Sequence, residues 1–203
     1  MSEIEWNLKA NAGKMSSQYR DSTKKNTFSF KSSFVLGYTE HVLGANGFRT
    51  PHNFKKGRGV CTTPMENRKL PPWQIQLWNL SEELIRQIDP HFADGEYCVQ
   101  YACMNDPDHY VHKHVDKENI SHQYALALGD YKGEAVLRLY EPDGETVKGE
   151  FEYNRKFLKA DGRFPHELFT KNFSGTRFSL IYFKVYDHRK TECDPLMDTP
   201  MLV

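Results

Sequence analysis

At 203 residues the chain is long enough to form one domain with its own apolar core, without disulfides or a structural metal to hold it. Its 27 basic residues cancel its 27 acidic ones, which excludes a global field drawing it to nucleic acid or to an anionic membrane. No apolar run reaches bilayer length, and Met1-Ser2-Glu3-Ile4-Glu5 lacks the basic and apolar regions of a signal peptide; a soluble, intracellular protein, cytoplasmic or nuclear and with no membrane partner, is expected.

Residues 1–33 are polar, with Trp6, Tyr19 and Phe28 as their few large apolar side chains, and an irregular arm is expected there. Phe34 to Tyr38 reads as a short strand. The stretch 44–70 reads as a long loop in which Arg49, Lys55, Lys56 and Arg58 stand beside Phe48 and Phe54. Basic residues interleaved with aromatics suit phosphate contact and base stacking, although the same pattern describes a solvated loop with two aromatic anchors.

After Pro71-Pro72, Leu77, Leu84, Ile85 and Ile88 recur at helical spacing. This predicts a helix or a pair of short helices, with Ser81 as a start and Asp89-Pro90 as the stop. Its apolar stripe, with Trp73 and Trp78, is expected to pack on the outside of a sheet. From residue 97 the period changes to strands at Tyr97–Cys103, Gln123–Leu128, Glu134–Tyr140 and Arg177–Tyr186, with a further strand pair between Gly149 and Lys159. Short strands separated by Gly, Asp and Pro turns argue for a sandwich or jelly-roll barrel. The division is thus an arm (1–33), a flanking loop and helix region (34–94), a β core (95–187) and a peripheral polar tail (188–203). Cys61, Cys98, Cys103 and Cys193 show no C-x-x-C spacing, so reduced thiols are expected.

The chemistry-bearing constellation is His114-Val115-Asp116 with His166 and Arg177. Two ligands one residue apart can leave the same side of a strand end, because side chains repeat with period two. Two imidazoles and one carboxylate on one face of a metal leave three positions open, the facial arrangement of non-haem Fe(II) sites. An arginine beside it supplies a fixed cation for a carboxylate. His112 lies in phase with His114 and Asp116 and is either a further ligand or a substrate-facing neighbour; His109 and His122 read as surface residues and His188 as exposed.

The order H-x-D, then H, then R-x-S, carried by His114, Asp116, His166, Arg177 and Ser179, resembles the Fe(II)/2-oxoglutarate-dependent dioxygenase superfamily over residues 95–187. Gly129-Asp130-Tyr131-Lys132-Gly133, Asp161-Gly162-Arg163-Phe164-Pro165-His166 and Ser174 to Leu180 look most like the TET/JBP-type nucleic-acid base oxygenases. The resemblance implies a mainly β fold with flanking α: a double-stranded β-helix of the jelly-roll, cupin-like kind. It also implies iron held by His114, Asp116 and His166, with 2-oxoglutarate and O2 as co-substrates and ascorbate as reductant in vitro. Arg177 would pair the far carboxylate of 2-oxoglutarate, Ser179 would add a hydrogen bond, and Tyr101 is a further candidate to reach that carboxylate.

The expected function is hydroxylation of a substrate C–H bond with conversion of 2-oxoglutarate and O2 to succinate and CO2, the first candidate substrate being a 5-methylpyrimidine in nucleic acid. A protein side-chain hydroxylase of prolyl type or a small-molecule hydroxylase is the alternative. A non-catalytic jelly-roll binding module is a third reading, against which the intact triad and Arg177 argue.

Overall fold

Strands β2 (Cys98–Met104), β3 (Val111–His114), β4 (Gln123–Leu128), β5 (Tyr131–Tyr140), β6 (Val147–Phe151), β7 (Phe157–Ala160), β8 (His166–Gly175) and β9 (Arg177–Phe183) form the core, with β1 (Ser32–Gly37) and β10 (Met201–Leu202) at edges. The computed structural model describes residues 1–15, 32–37, 70–95, 97–105, 111–117, 119–184 and 193–203. The basic-aromatic stretch 44–69, His109, His188 and Cys61 lie outside the described residues. Hydrogen bonding gives one sheet in the order β1-β2-β9-β4-β7-β10 and a second in the order β3-β8-β5-β6. Consecutive core strands cross from one sheet to the other, save for the hairpin β5–β6, and this wrapping is the jelly-roll order of a double-stranded β-helix.

The alternation of side chains divides the interior in two. Between the sheets, Ala125, Ala127, Leu158 and Ala160 of the larger sheet meet Leu137 and Leu139 of the smaller. On the other face of the larger sheet, Val99, Tyr101, Leu126, Leu128, Phe178 and Leu180 pack beneath helices α1 (Ser2–Asn11) and α2 (Pro72–Ile88). Leu77, Trp78 and Ile85 of α2 are buried there, as the apolar spacing predicts.

Four expectations need correction. The arm is not irregular at its start: α1 seats Ile4 and Leu8 against the sheet, while Asn7 Nδ2 donates to Trp73 O at 3.3 Å and to Gln76 Oε1 at 3.1 Å. Trp6 is exposed instead. Burying each aliphatic side chain contributes about 1.5–3 kcal/mol, and Glu5 adds an ion pair with Arg155 at 2.6 Å. Second, the helix after Pro72, a proline at its first turn, is continuous. Ser81 is not a start but an interior residue whose hydroxyl donates to Leu77 O at 2.7 Å. Third, β6 and β7 do not pair: β6 adds to β5 and β7 to β4, because the turn between them crosses from sheet to sheet. Fourth, the tail is attached: Met201 and Leu202 pair with Lys159 and Leu158 at the edge of the larger sheet. A short apolar α3 (Pro90–Ala93) follows α2, capped by Asp89, which accepts from Phe92 N at 2.9 Å. Among the described residues no helix is long and apolar enough to cross a membrane.

Candidate metal centre

The register of β3 on β8 passes from Val111 opposite Leu168 to His114 opposite His166, three steps on one strand against two on the other. This irregularity of bulge type turns both Val111 and His114 inward. The in-phase argument for His112 fails for that reason: His112 is exposed, and it serves the site through its backbone carbonyl. Asp116 lies just past the strand end, where its N–H donates to Gly162 O at 2.9 Å.

The three predicted side chains converge. His114 Nε2 stands 3.5 Å from Asp116 Oδ1, His166 Nε2 stands 3.7 Å from Asp116 Oδ2, and the ring centroids are 4.2 Å apart. One donor atom from each lies within 4.8 Å of the others. Both rings are oriented from behind, His114 Nδ1 by His112 O at 2.8 Å and His166 Nδ1 by Phe164 O at 2.9 Å. A carbonyl only accepts, so each Nδ1 carries a proton, which leaves Nε2 as the nitrogen that each ring can offer a metal. Burial pushes the His166 pKa below its ordinary value against the opposing pull of Asp116, which keeps the ring neutral and able to ligate. Two such nitrogens and one carboxylate oxygen fit a divalent iron.

Gly162 is the close approach that shapes this corner. A Cβ there would lie 2.8 Å from Asp116 Oδ2 and 2.6 Å from Gln123 Oε1. Gly162→Ala is therefore expected to displace the Asp116 carboxylate and weaken Mn(II) binding about tenfold, the scale of disturbing a ligand's outer support. A Mn(II) titration followed by electron paramagnetic resonance measures it, and unchanged affinity would show that Gln123 alone gives way.

Arg177 begins β9 and points between the sheets, where it is fully buried. Its Nη1 donates to Ser179 Oγ and its Nη2 to Tyr153 Oη at 2.6 Å, while Nε has no hydrogen-bond partner among the described residues. The rings of Tyr153 and Tyr131 flank it at 5.1 and 5.9 Å, and the Tyr131 hydroxyl is buried without a hydrogen bond of good geometry. Among the described residues the guanidinium has hydroxyl partners and no carboxylate. The other three arginines of the described barrel are already matched: Arg138 pairs Glu150 and Glu167, Arg155 pairs Glu5, and Arg163 forks onto Asp161.

Tyr101 is not part of this set. It pairs with Leu180, one position out of step with Ser179 and Arg177, so its ring leaves the opposite face of the sheet. There its hydroxyl donates to Ser81 Oγ at 3.0 Å beneath α2. Tyr131 and Tyr153 are the tyrosines that stand beside Arg177; no spacing in the sequence signals them, because one opens β5 and the other sits in the crossing between β6 and β7. His122 is not a surface residue either, its half-buried ring lying 5.7 Å from Phe92 and 5.4 Å from Tyr124.

Three glycines of the phrases that carried the finer resemblance serve backbone packing. Gly129, Gly133 and Gly175 adopt φ of +114°, +84° and +98°, and a Cβ on each would fall within 2.3 Å of a carbonyl oxygen, for Gly129 and Gly175 across the β4–β5 and β8–β9 turns and for Gly133 on the bulge of β8 opposite it. Thr176 N donates to Asp130 O at 3.0 Å, joining the two turns.

No protein-family model matches the chain, and no curated protein does. Among solved structures it is similar to an oxidoreductase of the 2OG-Fe(II) oxygenase family from Burkholderia pseudomallei, with 20% identity and a TM-score of 0.43 over 56% of each chain, so that it spans little more than half of that protein. It is also similar to a Pseudomonas putida prolyl-4-hydroxylase, with 11% identity and a TM-score of 0.49 over 91% of this chain and 85% of that one. A third similar structure is a Trichoplax adhaerens prolyl hydroxylase in complex with a hypoxia inducible factor peptide fragment, with 11% identity and a TM-score of 0.48 over 91% of this chain and 77% of that one.

Proposed function

We propose that the chain is an Fe(II)/2-oxoglutarate-dependent dioxygenase that hydroxylates a substrate C–H bond. The observation that carries this reading is Arg177, a guanidinium with no carboxylate partner among the described residues, buried inside the same barrel whose rim holds a His-Asp-His metal set. A buried charge left without a counter-charge is costly, and a carboxylate delivered by a co-substrate resolves it.

In this reading His114, Asp116 and His166 would hold Fe(II), which would supply the hydroxylating chemistry that converts 2-oxoglutarate and O2 to succinate and CO2. Arg177 holds the distal carboxylate through its planar fork, with Ser179 and Tyr153 fixing the guanidinium from the side. Ala102 and Ala127, the β2 and β4 neighbours of Ser179, present only methyl groups beside it. Leu137, Leu139 and Leu158 share one buried apolar cluster with Ala127 and with Tyr153, the tyrosine that receives the Arg177 hydrogen bond.

For the substrate, a 5-methylpyrimidine in nucleic acid and a peptide side chain or small molecule remain as two arms. Three glycines of the phrases favouring the first are accounted for by backbone packing, so turnover has to decide between them. Protein with Fe(II), ascorbate and 2-oxoglutarate is expected to release succinate slowly alone and faster with its substrate. Methylated oligonucleotides are screened against peptides and free amino acids: stimulation by a peptide and by no oligonucleotide removes the nucleobase arm. Absence of any succinate from iron-loaded protein would overturn the enzyme reading itself.

A further inference from the structure

The turn joining β7 to β8 hands out three carbonyls: Gly162 O to Asp116 N, Phe164 O to His166 Nδ1 and Pro165 O to Tyr140 N, each at 2.9 Å. Two of the three metal-site residues thus lean on one short stretch of backbone. Inside that turn Asp161 is 1% exposed. Its Oδ1 accepts from Arg163 N at 3.0 Å and Nε at 2.8 Å, and its Oδ2 from Arg163 Nη2 at 2.6 Å and from Met197 N at 3.0 Å. The guanidinium of Arg163 also donates to Asp194 O at 2.7 Å and Pro195 O at 3.0 Å, while Asp194 N donates to Ile120 O at 2.8 Å. The stretch 194–197 therefore supplies one donor and two acceptors to a buried ion pair, and it ties that pair to the segment just after Asp116.

We propose that the Asp161–Arg163 pair is a positioning device for the metal ligands and that the segment 194–197 completes it, so that docking of this segment and order at the metal centre are coupled. The inference rests on the metal-site reading above. Without Met197 N and the two carbonyls, the pair loses three of its charge-assisted hydrogen bonds and opens to water. The turn that orients Asp116 and His166 then loosens, although neither ligand has been touched.

The test compares the full chain with Arg163→Met, Arg163→Lys and Met197→Pro, the last removing a single N–H. Mn(II) affinity, the Co(II) ligand-field spectrum and the rate of proteolytic cleavage within 193–203 are measured on each. All three variants are expected to be cleaved faster. Mn(II) binding should weaken about tenfold in Arg163→Met and less in the other two, with an altered Co(II) spectrum. Unchanged affinity and spectrum in a variant that folds overturn the coupling, whether its segment is cleaved faster or not. If Arg163→Met does not fold, Met197→Pro decides by the same criteria. A His114→Ala control separates the two readings: if it takes up Mn(II) as the parent does, the triad is not the metal site and both readings fall. If it does not, while the clamp variants match the parent, the coupling alone is wrong.

Discussion

Asp116→Ala is expected to abolish turnover and to cut Fe(II) or Mn(II) affinity by more than the roughly 10–100-fold that loss of an outer partner costs, because it removes the only anionic member of the triad. The fold should survive. Asp116 is 33% exposed in its side chain and lies beyond the end of β3, so its replacement stays within the about 0.5 kcal/mol typical of surface positions. Asp116→Glu tests geometry instead of charge, since an added methylene drives the oxygen toward the imidazoles that stand 3.5 and 3.7 Å away. It is expected to bind metal weakly and to turn over little. His166→Ala should lose metal as completely but cost more stability, because the ring is buried and Phe164 O would lose its donor. Metal affinity read beside a thermal melt distinguishes the cases. Full activity in Asp116→Ala would remove the triad from the mechanism.

Arg177 should separate stability from activity. Charge-assisted hydrogen bonds contribute on the order of 1.5–3 kcal/mol each, so Arg177→Ala is expected to weaken 2-oxoglutarate binding by about one to two orders of magnitude or more. Iron uptake should be retained, the metal ligands being elsewhere. Arg177→Lys should recover part of the loss, as a point charge keeps the attraction and forfeits the fork. The same guanidinium is a buried cation without a carboxylate among the described residues, a costly arrangement that an apolar side chain of similar length removes. Arg177→Met is therefore expected to match or exceed the parent in Tm while binding 2-oxoglutarate as poorly as Arg177→Ala. Titration of the iron-loaded protein, followed by the absorption band that chelation produces, gives the affinity. An unchanged curve in Arg177→Ala would move the anchor to another cation, and Arg138 and Arg163 are poor replacements because carboxylates already hold them.

The triad and Arg177 were legible because each sits at a strand end whose sequence order survives folding, and the core strands because Gln123–Leu128 and Arg177–Phe183 are rich in β-favouring bulk. What escaped did so for physical reasons. Helix α1 seats only Ile4 and Leu8 on the sheet and turns Trp6 to solvent, so its helicity depends on tertiary contacts that no local pattern announces. Strand β8 alternates buried His166, Leu168 and Phe173 with Lys, Asn and Ser on its solvent side, and a bulge opposite Gly133 breaks the period. The face of Tyr101 depends on register with β9, which a single sequence does not contain.

A helix laid on a sheet by apolar contacts alone can slide, because one ridge of leucines fits the next groove nearly as well. Beneath α2 that freedom is removed by Ser81, whose hydroxyl takes the Tyr101 proton at 3.0 Å and whose carbonyl receives Tyr182 at 3.3 Å. Slipping by one turn, about 5.4 Å, would strand two tyrosine hydroxyls in the driest layer of the molecule, at about 1–3 kcal/mol each. The helix is thus pinned at a single setting, and so are β2 and β9, which carry these tyrosines on one face. On its reverse β9 carries Ser179 and Arg177, so a serine on the far side of the sheet helps to fix where the buried guanidinium stands.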